Sequence, residues 1–205
     1  MKLGILGLGF SHPISFARYL KEIKGIKIAY VWDYPHKKGE PILNKIENFQ
    51  AEFGAEIVND PLEIIDRGVD GVFIEVKNGE RAKYALPFIE AKIPTFIDKP
   101  LETKLKDVKR IVDAVKRTGC PIQSNSGYRF APAVLALKVK VQAGEYGIIS
   151  AINATVIHRI HSYLKEPSTW QDSIPLGGGS IINMGIHGMD PITNIMGVGV
   201  DTVHC

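Results

Sequence analysis

From residue 2 to about residue 124 the chain alternates short β-type runs with helix-period segments, and this alternation constrains the fold more than any other feature. A parallel sheet connected through helices is covered on both faces, so its strands read as near-continuous apolar runs. Six such runs are present, at 2–7, 27–32, 55–58, 72–76, 95–97 and 121–124. Between them Phe16, Leu20 and Ile23 repeat at helical spacing before Gly25, and Ile42, Ile46, Phe49 and Phe53 before Gly54. Leu105, Val108, Val112 and Val115 do the same before Gly119. Glycine is the residue that most readily takes the left-handed conformation closing a helix. Pro87 interrupts the segment 80–91, where a kink or a late helix start is expected. Six parallel strands with helices on both faces make a doubly wound α/β domain, expected over residues 1–124.

After Ser124 the pattern changes, and residues 125–205 are expected to begin a second domain. A helical stretch at 132–143 precedes a β-rich run at 148–157, and an irregular segment holds His158, His161, Tyr163 and Trp170. The stretch GGGSIINMGIHGMDPI then predicts a helix after three glycines, followed by a strand-like 198–204. With 45% apolar and 23% charged residues among 205, the chain can bury a core without metal or disulfide. Its charge of +3 is scattered rather than clustered, so no nucleic-acid partner is expected. The opening MKLGILGLGF carries no leader cleavage site and leads into no membrane-length segment, and Cys120 and Cys205 lack ligand spacing. A cytoplasmic protein with no membrane partner is the expectation.

The first strand runs into GLGFSH. Gly7 and Gly9 permit a tight turn and a close approach of backbone to a pyrophosphate lying on the next helix's N-terminus. Phe10, Ser11 and His12 complete the turn, with His12 where a dinucleotide fingerprint usually has a third small residue. Asp33 ends the second strand, 24 residues beyond Gly9, where a carboxylate accepts hydrogen bonds from an adenosine ribose. Its charge would repel a 2′-phosphate, so NAD is expected ahead of NADP, although Lys37 and Lys38 lie near enough to neutralise one. Val76, Lys77 and Asn78 follow the fourth strand and are placed at the nicotinamide ribose. The fifth strand delivers Asp98 and Lys99 to the same crevice. A shielded Lys beside a cationic ring loses proton affinity, which suits acid–base work on a hydroxyl. On the late helix Ser180, Asn183, His187 and Asp190 form one polar stripe among apolar neighbours, costly to bury without partners or a cleft.

In their order, GLGFSH with Asp33, the DKPLE after strand five and the GGGSIINMGIHGMD block resemble the glucose-fructose oxidoreductase, inositol dehydrogenase and rhizopine catabolism family (Gfo/Idh/MocA) across nearly all of the chain. The resemblance implies an N-terminal Rossmann domain and a C-terminal α/β domain with an open mixed sheet. It also implies reversible hydride transfer between NAD(P) and a sugar, polyol or related hydroxy compound. Its acidic residue, Lys and Pro map onto Asp98, Lys99 and Pro100, and its helix motif maps onto Asn183, Gly185, His187 and Asp190. Asn183 stands where the family has Asp, so altered substrate choice or weaker catalysis is expected. His187, whose ordinary pKa lies near working pH, is the first choice as base, with Lys99 orienting the hydroxyl or exchanging roles with it. Lys99, His187 and Asn183 are the candidate catalytic residues, and Asn183, Arg129 and Trp170, with His187, are the candidate substrate-binding residues.

Three other readings remain at this point. One is a non-catalytic nucleotide-binding sensor or scaffold, and another is an NAD-dependent glycoside-cleaving enzyme. The third is a metal site, because His158 with His161 and His187 with Asp190 are each three apart; no metal is expected, since hydride transfer needs none. The resemblance further implies a longer C-terminal domain that builds a homo-oligomer, so the 205 residues are read as a piece of a larger protein.

Overall fold

The computed structural model describes residues 1–36, 44–158, 177–197 and 199–204. Its strands are β1 (Lys2–Leu6), β2 (Lys27–Trp32), β3 (Glu56–Ile57), β4 (Gly71–Ile74), β5 (Thr95–Ile97) and β6 (Ile122–Gln123). They form one sheet in the order β3-β2-β1-β4-β5-β6, with every neighbouring pair parallel. The strand order reverses between β1 and β4, which opens a crevice beyond their carboxyl ends. That is the doubly wound domain expected from the alternation.

The crossovers are α1 (His12–Lys21), α2 (Ile46–Phe53), α3 (Glu63–Arg67), α4 (Arg81–Glu90) and α5 (Leu105–Thr118). Successive strand residues face opposite sides. Ile5 and Val31 join Ala17 of α1 and Phe49 of α2 in one buried cluster. Leu6, Trp32 and Ile74 join Ile64 of α3, Ala85 and Phe88 of α4 and Ile111 of α5 in the other. Both faces are therefore dry, which is why the strands alternate so little in polarity. Gly54 and Gly119 close α2 and α5 in the left-handed conformation, at φ 68° and 70°. The described part of the second helical pattern starts at Ile46; Ile42, like Lys37 and Lys38, lies outside the described residues. α4 runs through Pro87, held by the burial of Ala85, Phe88 and Ile89 on either side of it.

Beyond β6 a 3-10 turn (Gly127–Phe130) leads into α6 (Pro132–Gln142), and α7 (Ser180–Met196) packs against α6. Lys138 of α6 donates to Asn194 of α7 at 3.0 Å. The strand expected at 148–157 is not formed: among the described residues no strand follows β6. A strand needs a neighbouring ladder, and this run instead lays Ala154 and Val156 against α7, at the point where Gly188 leaves room for them. Residues 199–204 are likewise irregular. No helix among the described residues is long and apolar enough to cross a membrane.

Candidate active site

The glycine turn between β1 and α1 is built by its neighbours. Gly7 has φ +96°, and a Cβ there would lie 2.4 Å from the Glu75 carbonyl oxygen, so no side chain fits. Asn44 ties the turn down, its Nδ2 donating to the carbonyls of Leu8 and Phe10 at 2.8 and 2.7 Å. Asp33, just beyond β2, clamps the turn, because Oδ1 accepts from the Leu8 amide at 2.8 Å and the Tyr34 amide at 3.0 Å. Its Oδ2 lies 2.7 Å from His36 Nε2. The Tyr34 hydroxyl fills the space above Gly9, 1.6 Å from where a Cβ would stand. Lys77 sits 4.8 Å over the Tyr34 ring. Ser11 does not cap α1 with its side chain, which leaves the His12 and Ile14 amides without a capping partner, while Pro13 has no amide to offer.

His12 turns out to be a contact rather than a spacer. Its Nδ1 lies 2.9 Å from Oδ2 of Asp98, immediately beyond β5, and its ring stands edge-on to Phe10. Asp98 is buried and also accepts from Arg81 Nη2 at 3.2 Å. Arg81, fully buried at the start of α4, donates further to the carbonyls of Val76, Asp98 and Pro100 and so fastens the loop that carries Lys99. Burial alone would raise the Asp98 pKa, but the His12 hydrogen bond and the Arg81 charge outweigh it and hold the carboxyl below its ordinary value. Glu75, at the end of β4, is fully buried, and neither carboxylate oxygen has a hydrogen-bond partner. Burial, reinforced by the Asp98 charge, pushes its pKa well above the usual range.

Lys99 is buried, and its Nζ donates to the carbonyl and Oδ1 of Asn183 at 3.1 and 3.3 Å. This contact joins the β5 loop to α7. Burial, with the Arg81 charge, lowers the Lys99 pKa against the opposing pull of Asp98. One turn along α7, His187 Nδ1 meets Ser126 Oγ at 2.7 Å, and Tyr128 stands edge-on to its ring. Burial first and the Lys99 charge second lower the His187 pKa to about 4, so the imidazole is neutral near pH 7.

A cleft of about 630 Å³ brings Ser11, His12, Asp98, Lys99, Tyr128, Met184, His158 and His187 to one wall-lined space. Val76, Asn78 and Arg129, expected at the site, do not line this cleft. Val76 is fully buried. Asn78 donates to the Gly177 carbonyl at 2.9 Å, fixing the first of the three glycines to the sheet domain. Arg129 grips Asp190, with Nε to Oδ2 at 3.0 Å and Nη2 to Oδ1 at 2.5 Å, and lines a separate cleft of about 460 Å³. Trp170, with His161 and Tyr163, lies outside the described residues. Of the paired-histidine group, His187 and Asp190 are bonded to Ser126 and Arg129, and His161 lies outside the described residues.

Reading the sequence alone missed Arg81, Ser126, Asn44 and Tyr34, whose roles come from what they touch. Glu75 did carry a signal, as a carboxylate inside the apolar run VFIEV.

The turn fits a dinucleotide: a positive-φ glycine, uncapped helix amides and a carboxylate at the end of β2 stand together, provided the Tyr34 ring turns away from Gly9.

Comparison with known proteins points the same way. Residues 1–126 match the family described as oxidoreductase family, NAD-binding Rossmann fold. The inositol 2-dehydrogenase of Mycolicibacterium smegmatis is 28% identical over 179 residues, covering 85% of this chain and 48% of that protein. The scyllo-inositol 2-dehydrogenase (NAD(+)) of Bacillus subtilis is 25% identical over 205 residues, covering 99% and 56%. The crystal structure of apo scyllo-inositol dehydrogenase from Lactobacillus casei shares the fold at TM-score 0.75 and 21% identity, over 96% of this chain and 55% of that one. The chain spans about half the length of these relatives.

Proposed function

The chain belongs to the Gfo/Idh/MocA oxidoreductase family, and from that premise we propose that it serves NAD-dependent oxidation of a CH–OH group on a cyclic polyol of the inositol type. The observation that carries this reading is that Lys99 and His187, far apart in sequence, line one cleft beside the glycine turn. When bound, NAD supplies the nicotinamide ring that takes the hydride. Gly7, Gly9, Phe10, Ser11 and His12 would hold its pyrophosphate on the α1 amides, and Asp33 its ribose, with NAD favoured over NADP by the Asp33 charge.

The roles of the two cleft groups follow from their surroundings. A His187 that titrates at about 4 is a weak base near neutrality. The Ser126 hydroxyl accepts from the Tyr128 amide and has its own proton to give His187 Nδ1, which leaves Nε2–H free to donate toward the cleft. Lys99, its pKa lowered, then takes the hydroxyl proton, and His187 orients the oxygen. This is the exchange of roles raised above. Asn183 holds Lys99 in place rather than meeting the substrate first.

The test is NADH formation at 340 nm with myo- and scyllo-inositol. Lys99→Ala is expected to lower turnover by about 10²–10⁴-fold while NAD⁺ binding persists. Wild-type turnover in that variant would remove Lys99 from the chemistry.

A further inference from the structure

We propose that His12, Glu75 and Asp98 form a binding site for a divalent first-row transition-metal cation at the floor of the cleft. The three residues follow β1, β4 and β5, which are adjacent in the sheet, so their positions are fixed by the strand order itself. One ligand atom from each lies within 4.8 Å of the other two. His12 Nδ1 and Asp98 Oδ2 are 2.9 Å apart. Two donors each about 2.1 Å from one small cation stand at about that separation, so an ion can replace the shared proton with little movement.

Glu75 is the observation that asks for a ligand. Its carboxylate is fully buried, and neither oxygen receives a donor. The nearby cations are turned elsewhere: Arg81 gives its N–H groups to Val76, Asp98 and Pro100, and Lys99 to Asn183. A buried carboxylate without a donor is costly. A proton would relieve the charge but leave both oxygens without partners, whereas a cation satisfies charge and lone pairs together.

Charge allows it. Binding releases any proton that Glu75 holds, and the Glu75 and Asp98 carboxylates then set two negative charges against the divalent ion, with Arg81 and Lys99 alongside. One imidazole nitrogen and two carboxylates suit Mn²⁺, Fe²⁺ or Zn²⁺ better than Ca²⁺ or Mg²⁺, which take oxygen ligands throughout. His12 and Asp98 line the cleft, which gives the ion an entry and leaves its remaining positions to water. The site does not depend on dinucleotide or substrate.

The experiment uses untagged, chelator-treated protein without NAD, titrated at pH 7 with MnCl₂ by electron paramagnetic resonance and with ZnCl₂ by calorimetry. One ion per chain is expected. Glu75→Gln and His12→Gln should each raise Kd by about tenfold or more, while His158→Ala, elsewhere on the cleft wall, should leave it unchanged. Should Glu75→Gln fail to fold, His12→Gln, at a partly exposed position, carries the same test. Absence of saturable binding by the unmodified chain overturns the proposal. So does wild-type affinity in the folded Glu75 and His12 variants, or loss of binding in His158→Ala.

Discussion

Ser126 joins the halves of the candidate site residue by residue. Its amide donates to Asp190 at 3.1 Å and its hydroxyl meets His187, so two members of the α7 stripe are positioned by one small buried side chain. The resulting shift in His187 has a consequence for stability. The ring titrates at about 4 in the folded chain against an ordinary 6.5, because burial and then the Lys99 charge disfavour the imidazolium. Between those values the unfolded chain binds a proton that the folded chain does not, so stability is full above about pH 6.5 and falls as pH drops toward 4. The ring is partly exposed, so solvent screening cuts the contribution to about 1 kcal/mol. Urea unfolding at pH 7 and 4.5 should show a larger loss for the wild type than for His187→Gln. Equal losses would contradict a neutral, half-buried imidazole. Asp98, Lys99 and His187 were legible in the sequence because each sits in a short motif at a fixed place relative to a strand or helix. Ser126 and Arg81 were not, because a buried hydrogen-bonding partner is defined by long-range contacts that no local pattern records.

Among the elements, the glycine turn is the most tightly specified. Gly7 and Gly25 both have positive φ, yet only Gly7 faces backbone at 2.4 Å, while Gly25 opens onto space. Gly25→Ala should therefore cost about 1 kcal/mol from conformation alone. Gly7→Ala should cost about 2–3 kcal/mol and displace Glu75 and Val76 as well. Denaturant midpoints for the two variants separate clash from strain, and similar losses would mean that the Glu75 carbonyl gives way easily. The parallel strands and long crossover helices were legible from apolar runs and glycine stops. α3 was missed because five residues hold too little periodicity, though Asp60, whose Oδ1 accepts from the Leu62 amide at 2.9 Å, and Gly68 mark its ends. The run at 148–157 misled for the opposite reason: β-type residues state a preference, and a strand forms only where a ladder is available.

At the scale of the whole molecule, the sheet domain supplies the glycine turn, Asp33, Asp98 and Lys99, and the segment beyond β6 supplies Tyr128, Asn183 and His187. Lys99 on Asn183 and Asn78 on Gly177 tie these parts together. Neither was readable from the sequence, which showed the motifs but not the bonds between them. The proposed chemistry requires Lys99 and His187 to converge around a nicotinamide, and a crystal structure with NADH and a polyol measures that directly. The expected result has the Tyr34 ring rotated off Gly9, the dinucleotide on the α1 amides, and Lys99 Nζ and His187 Nε2 each about 3 Å from one substrate hydroxyl. A nicotinamide bound away from the 630 Å³ cleft, or a polyol oxygen out of reach of both groups, would contradict it.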